Sequence, residues 1–288
     1  MSFFLARLGA AGRERPFVVA DGIASSIETL TTDIDGGFLE GGGIERVRAA
    51  LAEGRLPVAG PLETLGQRFG PPVARPGKVV CVGLNYRDHA TETNAAIPTE
   101  PILFMKDPLT VIGPDDDVLV PRRSVKTDWE VELAVIIGRT ARYVDDEAAA
   151  RACIAGYAIA NDVSEREFQL ERGGQWDKGK SCETFNPLGP WFVPADEIAD
   201  PQALGMRLWV NGTLRQNGTT ANMIFDVAHI VHYISQFMVL RPGDVINTGT
   251  PAGVAQGQPE PKPFLRAGDV LEVEIDGLGT QRQYIGQA

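Results

Sequence analysis

Cysteine is scarce. Cys81, Cys153 and Cys182 are the only three among 288 residues, too few and too scattered for a disulfide framework or a thiolate zinc cluster. A reducing cytoplasm is the expected setting. Long apolar runs are missing as well: the longest are strand-length, such as Val131–Ile137 with its one Glu, and none approaches the ~20 residues needed to cross a bilayer. No secretory leader is expected, because Arg7, Arg13, Glu14 and Arg15 fall where it would need an uninterrupted apolar segment. Positive charge is in deficit, with 27 basic against 38 acidic side chains and a net charge of -11. That balance repels phosphate backbones and anionic lipid surfaces, which argues against nucleic-acid and membrane partners. Also lacking are alternating strand–helix units and a glycine fingerprint after a first strand, so a doubly wound nucleotide fold is disfavoured.

What is present describes a globular chain, 43% hydrophobic and 23% charged. Residues 1–70 read as a small N-terminal domain, in which Gly36-Gly37-Phe38-Leu39-Glu40-Gly41-Gly42-Gly43 separates short strand-like pieces from a helix over Ile44 to Ala52. Residues 71–77, Pro-Pro-Val-Ala-Arg-Pro-Gly, form a connector that continues neither a helix nor a central strand. Residues 78–288 form the body, dominated by β-type runs, with Asn211-Gly212 between Leu208-Trp209-Val210 and Thr213-Leu214-Arg215 predicting a two-residue hairpin. Ser164-Glu165-Arg166-Glu167 reads as a capping box opening a helix to about Glu171, and Ile224, Val227, Ala228, Val231, Ile234 and Met238 recur at helical spacing. The expected class is mixed and β-rich (α+β), a roll or sandwich with peripheral helices.

Gly174-Gln175-Trp176-Asp177-Lys178-Gly179-Lys180-Ser181 fits the phosphate-loop formula letter for letter. Its context does not, since a polar helical stretch precedes it and no helical periodicity comes after it. Trp129-Glu130-Val131-Glu132-Leu133-Ala134-Val135-Ile136-Ile137 says more: a strand alternates faces, so Glu130 and Glu132 point the same way while both faces look buried. Buried like charges need a cation. Leu271-Glu272-Val273-Glu274-Ile275, by contrast, alternates to its end and reads as a solvated face. Asp162 supplies a third oxygen at the end of the apolar strand Gly156 to Asn161, although an Asp before Ser164 also serves as a helix cap. Three carboxylates without Cys or paired His favour a hard ion such as Mg²⁺ or Mn²⁺ over zinc. His229 and His232 lie in an apolar helix and read as structural, whereas His89 has Glu92 one turn away, a base with an orienting carboxylate or an ordinary helix pair.

Taken together, Gly83-Leu84-Asn85-Tyr86-Arg87-Asp88-His89-Ala90, Pro101-Ile102-Leu103-Phe104-Met105-Lys106, Trp129-Glu130-Val131-Glu132-Leu133, Asn161-Asp162-Val163-Ser164-Glu165-Arg166 and Thr248-Gly249-Thr250-Pro251-Ala252-Gly253-Val254 resemble the fumarylacetoacetate hydrolase family in order and spacing, over Lys78 to Ile285. The resemblance implies a β-sandwich roll, usually dimeric, with Glu130, Glu132 and Asp162 holding Mg²⁺ or Mn²⁺, and Ca²⁺ as a stand-in in crystals. It carries the water-activating pair onto His89 and Glu92, a catalytic lysine onto Lys180, and pocket-lining roles onto Lys106, Arg166, Gln169 and Thr250. Asn85 departs from the pattern, standing where fumarylacetoacetate hydrolase itself has a further metal carboxylate. Within the family, Lys126-Thr127-Asp128-Trp129-Glu130 and Phe168 to Lys180 look most like hydrolases of 2,4-diketo-3-deoxy sugar acids, a sequence type also labelled ureidoglycolate lyase. The implied substrate is a small 2-oxo acid, and the implied reaction is hydrolysis of a carbon–carbon bond to release pyruvate. Lyases, decarboxylases, hydratases and isomerases share the family, and a 2-oxo acid binding protein without turnover is the non-enzymatic alternative.

Overall fold

Every residue of Val131–Ile137 is buried, and this strand lies inside the larger of two main sheets in the computed structural model, which describes residues 2–288. Its odd-numbered side chains Val131, Leu133, Val135 and Ile137 share a core with Leu208, Val210, Leu271 and Val273. Those partners belong to a five-stranded sheet ordered Thr213–Thr219, Gly205–Val210, Val270–Ile275, Gly279–Gln287 and Val118–Val120. Ala134 and Ile136, on the opposite face, join a second core with Cys81, Phe104, Leu188 and Phe192. Burial against two different cores is why the strand reads as a continuous apolar run.

The larger sheet runs Val58–Pro61, Ile23–Ser26, Arg15–Ala20, Phe3–Leu8, Asn186–Pro194, Ile154–Asn161, Val131–Ile137, Val245–Asn247, Val79–Gly83 and Ile102–Lys106, with Val111–Ile112 pairing to Asn186–Pro194 off this path. Neighbours along the path are antiparallel except Val245–Asn247, which is parallel to Val79–Gly83. The first strand enters beside the body, with Leu5 opposite Phe192, and Phe3, Leu5, Phe38 and Val47 pack in the same core as Ala134. Between them and the body, Val73 and Ala74 are buried in the Pro/Gly-rich stretch. The architecture is mixed and sheet-rich with short peripheral helices, as the sequence predicts. Asn211 and Gly212 form the expected hairpin turn with φ of 50° and 74°, and Asp226 caps the helix Val227–Ser235 by accepting from His229 N at 2.8 Å.

The capping-box reading of Ser164–Glu167 is corrected. Ser164–Glu165 is a short strand antiparallel to Thr127–Asp128, and the chain then makes a single π-helical turn, Glu167–Glu171. The Ser164 hydroxyl donates to Asp162 O at 3.0 Å instead of accepting from a helix N–H. Glu165 is buried with its carboxylate taken by the Thr127 hydroxyl at 2.8 Å.

Candidate active site

Strand register assembles the acidic cluster. Asp162 N donates to Glu130 O at 2.9 Å, and Glu132 lies opposite Ala160, so three carboxylates project from one end of two adjacent strands. One oxygen from each of Glu130, Glu132 and Asp162 lies within 4.8 Å of the others, and all three residues are buried. Such like charges are tolerated only with cations among them. Lys180 Nζ is 2.7 Å from Glu130 Oε2 and 3.0 Å from Asp162 Oδ2, Lys106 Nζ is 2.5 Å from Asp162 Oδ1, and Arg166 Nη2 is 2.6 Å from Glu130 Oε1. Burial opposes the charge on Glu130, yet Lys180 and Arg166 outweigh it and hold the carboxyl down at about 2. Burial, followed by the charges of Asp162 and Glu130, pushes Glu132 well above the usual carboxylate range, with Gly249 N at 2.7 Å in partial relief. Burial likewise works against the ammonium of Lys180, but Asp162 and Glu130 raise it to about 12.

The donors around the triad are all oxygen, hard and anionic, with neither Cys nor His among them. That set fits an Mg²⁺- or Mn²⁺-type ion and is poor for zinc.

Each cation is placed by its own element. Lys106 closes the edge strand Ile102–Lys106, and Lys180 ends the four-residue helix Asp177–Lys180. Trp176 anchors that helix edge-on to Phe104, ring centroids 5.5 Å apart, and fits against Gly83, where a Cβ would stand 2.5 Å from the indole. Gly179 is equally constrained: a Cβ there would meet Glu165 O at 2.5 Å and Gln169 N at 2.6 Å. The glycine of the apparent phosphate loop thus serves close packing, and the helix lies before Ser181 rather than after it. Arg166 is aimed by Asp128, whose Oδ2 accepts from Nε at 2.8 Å, and it holds Gln169 Oε1 at 3.0 Å through Nη1.

His89 and Glu92 sit on the helix Arg87–Glu92, with Nδ1 3.3 Å from Oε2. Glu92 is fixed by Gly253 N, at 3.0 and 3.1 Å from its two oxygens, and by Gln258 Nε2 at 3.4 Å. Thr250 is buried beneath, its hydroxyl donating to Val131 O at 2.9 Å. Asn85 is fully buried and braces the backbone, accepting from Phe225 N at 2.9 Å and donating to Phe225 O and Thr248 O at 3.1 and 2.7 Å. His229 lies elsewhere, 3.0 Å from Glu147. Direct contacts therefore join Lys106, Glu130, Asp162, Arg166, Gln169 and Lys180, while Glu132, Thr250 and the His89–Glu92 pair are tied in through the segment after Asn247. Sequence reading gave no role to Asp128, although the motif Lys126–Glu130 contains it, nor to Gln216, whose burial nothing in its own neighbourhood of the sequence signals.

Residues 78–285 match the fumarylacetoacetate (FAA) hydrolase C-terminal family model. The chain belongs to the fumarylacetoacetate hydrolase family. A 2,4-didehydro-3-deoxy-L-rhamnonate hydrolase of Sphingomonas sp. (strain SKA58) is 46% identical over 283 residues, spanning 98% of this chain and 95% of the relative. Among solved structures, fumarylacetoacetate hydrolase from Exiguobacterium antarcticum superposes with a TM-score of 0.84 at 34% identity, covering 100% of both chains. Maleylpyruvate hydrolase from Sphingobium sp. SYK-6, solved with manganese(II) and pyruvate, superposes with a TM-score of 0.80 at 29% identity over 99% of each chain. As a fumarylacetoacetate hydrolase family member the protein is an enzyme acting on carbon–carbon bonds. Among the described residues no helix is long and apolar enough to cross a membrane.

Proposed function

We propose that the protein hydrolyses the C3–C4 bond of a 2,4-diketo acid, an acylpyruvate or a 2,4-diketo-3-deoxy sugar acid, to pyruvate and a carboxylic acid, with Mg²⁺ or Mn²⁺ held by Glu130, Glu132 and Asp162. The observation that carries this is a buried carboxylate triad with Lys180 bridging two of its members and an oriented His89–Glu92 pair alongside. The relative named for a 2,4-didehydro-3-deoxy acid and the structural neighbour solved with Mn(II) and pyruvate support it. The reading places the enzyme in the cytoplasm as a homodimer, in keeping with the cysteine scarcity and the family resemblance.

Bound at the triad, the ion would supply Lewis-acid polarisation of the 2-oxo acid end of the substrate. The remaining work falls to side chains. Arg166 and Gln169, fixed to each other, orient the substrate, and Lys106 and Thr250 complete its walls. Glu92 faces Nδ1 of His89, which favours the tautomer with its proton there and leaves Nε2 to take a proton from water. The resulting hydroxide adds to the C4 carbonyl, and collapse of the adduct breaks C3–C4. The bond electrons pass into the enolate of pyruvate, whose oxygen Lys180 stabilises, and the proton held by His89 returns at C3. C4 leaves as the carboxylic acid.

The test is pyruvate release, coupled to lactate dehydrogenase, over acylpyruvates, 2,4-diketo-3-deoxy sugar acids, oxaloacetate and ureidoglycolate. Turnover of a 2,4-diketo acid is expected. Urea and glyoxylate from ureidoglycolate alone, or carbon dioxide from oxaloacetate alone, would replace this reading with a lyase or a decarboxylase, and ligand binding without turnover of any of them would leave a binding protein.

A further inference from the structure

The segment after Asn247 gives its backbone N–H groups to three different carboxylates. Gly249 N lies 2.7 Å from Glu132, Gly253 N binds both oxygens of Glu92, and Ala255 N and Gln256 N lie 2.7 and 2.9 Å from Asp128, the residue that aims Arg166. Whatever positions this segment positions the His89–Glu92 pair relative to the triad.

Strand geometry shows what holds it. Glu130 O accepts from Asp162 N on one side, so the N–H and C=O of Val131 and the C=O of Leu133 point to the other side. There the strand Val245–Asn247 begins its pairing only at Ala134. One more backbone bond follows, Thr248 N to Leu133 O at 3.2 Å, and side chains complete the ladder: the hydroxyls of Thr248 and Thr250 donate to Leu133 O and Val131 O at 2.8 and 2.9 Å, and Gln216 Oε1 accepts from Val131 N at 2.9 Å. The amide end of Gln216 turns to the segment itself, donating to Thr250 Oγ1 and Pro251 O at 2.8 Å each. Gln216 is fully buried and arrives from the other sheet, beside a bulge at which the register shifts and Arg215 is left over. Bulges re-aim side chains in this way. Gly253, with φ at 109°, packs on that bulge, where a Cβ would stand 2.0 Å from Arg215 O.

We propose that Gln216 is a positioning residue for the reaction: by pinning Val131, which lies between the two glutamates of the triad, to Thr250 and Pro251, it sets the spacing between the ion-binding carboxylates and the His89–Glu92 pair. It acts through the segment rather than on the substrate, and the inference rests on the function proposed above.

Two variants and two readouts test it. Gln216→Leu removes all three bonds at similar volume, and Gln216→Glu keeps the acceptor for Val131 N while losing both donors, so it carries the test should the leucine variant fail to fold. Hydrogen exchange is expected to quicken in peptides covering 248–258 and 87–93, and at Val131 itself in the leucine variant, and to stay unchanged in 133–137. Turnover of the 2,4-diketo acid is expected to fall by about 10-fold or more, with KM and the calorimetric Mn²⁺ dissociation constant within about 3-fold of wild type. Unchanged exchange overturns the proposal whatever the substrate is, as does a loss confined to thermal stability with kcat intact, or an equal loss of Mn²⁺ affinity and turnover. Failure of the wild-type enzyme to split any 2,4-diketo acid overturns the functional reading instead, and the exchange comparison still decides the role of Gln216.

Discussion

Lys180 donates to Glu130 at 2.7 Å and to Asp162 at 3.0 Å, spanning two carboxylates that rise from a single rung of one antiparallel ladder. The separation of Glu130 and Asp162 is therefore set by backbone hydrogen bonding, and one ammonium fits between them. Because the strands hold the geometry, single side-chain replacements should alter the chemistry of the cluster without dismantling it.

Glu132→Gln should abolish turnover and raise the Mn²⁺ dissociation constant at least ~10-fold by calorimetry. Its fold should persist, with a thermal midpoint equal to or above wild type, because the change removes a buried charge that faces Glu130 and Asp162 with one backbone N–H in support. Undiminished Mn²⁺ binding would place the ion elsewhere.

His89→Gln should lower kcat ~100-fold or more while KM and Mn²⁺ affinity hold. The imidazole lies on the helix Arg87–Glu92, apart from the strands that carry the triad. Glu92→Gln should show a milder form, since it orients the ring. A raised KM at unchanged kcat would make His89 a binding group.

Lys180→Met leaves Glu130 and Asp162 without their shared cation, and breaking a buried pair costs about 3 kcal/mol. Denaturation curves should show that loss in the presence of a chelator and a smaller one with Mn²⁺, whose charge offsets the missing ammonium. Equal losses under both conditions would separate Lys180 from the ion site.

Gly179→Ala forces a methyl onto the backbone at Glu165 and Gln169. We expect a stability loss of about 1–3 kcal/mol together with reduced kcat, because Lys180 is the next residue. Fluorescent nucleotide titration of the wild type should show no ATP binding. ATP binding that the substitution abolishes would restore the phosphate-loop reading.

Where the site arises from one strand's alternation, it is legible in the sequence. Trp129–Ile137 places Glu130 and Glu132 on one face, and the end of the next long strand supplies Asp162. Legibility fails where partners are distant along the chain. Ser164-Glu165-Arg166-Glu167 has the local form of a helix start, but pairing with Thr127–Asp128 claims its first two residues for a strand. Gln216 meets Val131 across 85 positions and Asp128 meets Ala255 across 127, and no periodicity encodes contacts of that kind. The second glutamate pair, Glu272 and Glu274, is readable as exterior because its alternation is complete, and its members meet Arg282 and Arg207 near the surface.

Asn85 works as a spacer between the turn after Gly83 and two distant stretches of backbone. Its carboxamide uses both of its chemical ends, giving protons to Phe225 O and Thr248 O and receiving one from Phe225 N. An aspartate there would keep the acceptor and take the donor away from Phe225 O and from the buried Thr248 O, which costs about 1–3 kcal/mol for a buried group left unsatisfied. An Asn85→Asp exchange by itself would thus loosen the backbone at Thr248, whose N–H and hydroxyl both hold Leu133 O in the strand that carries Glu132.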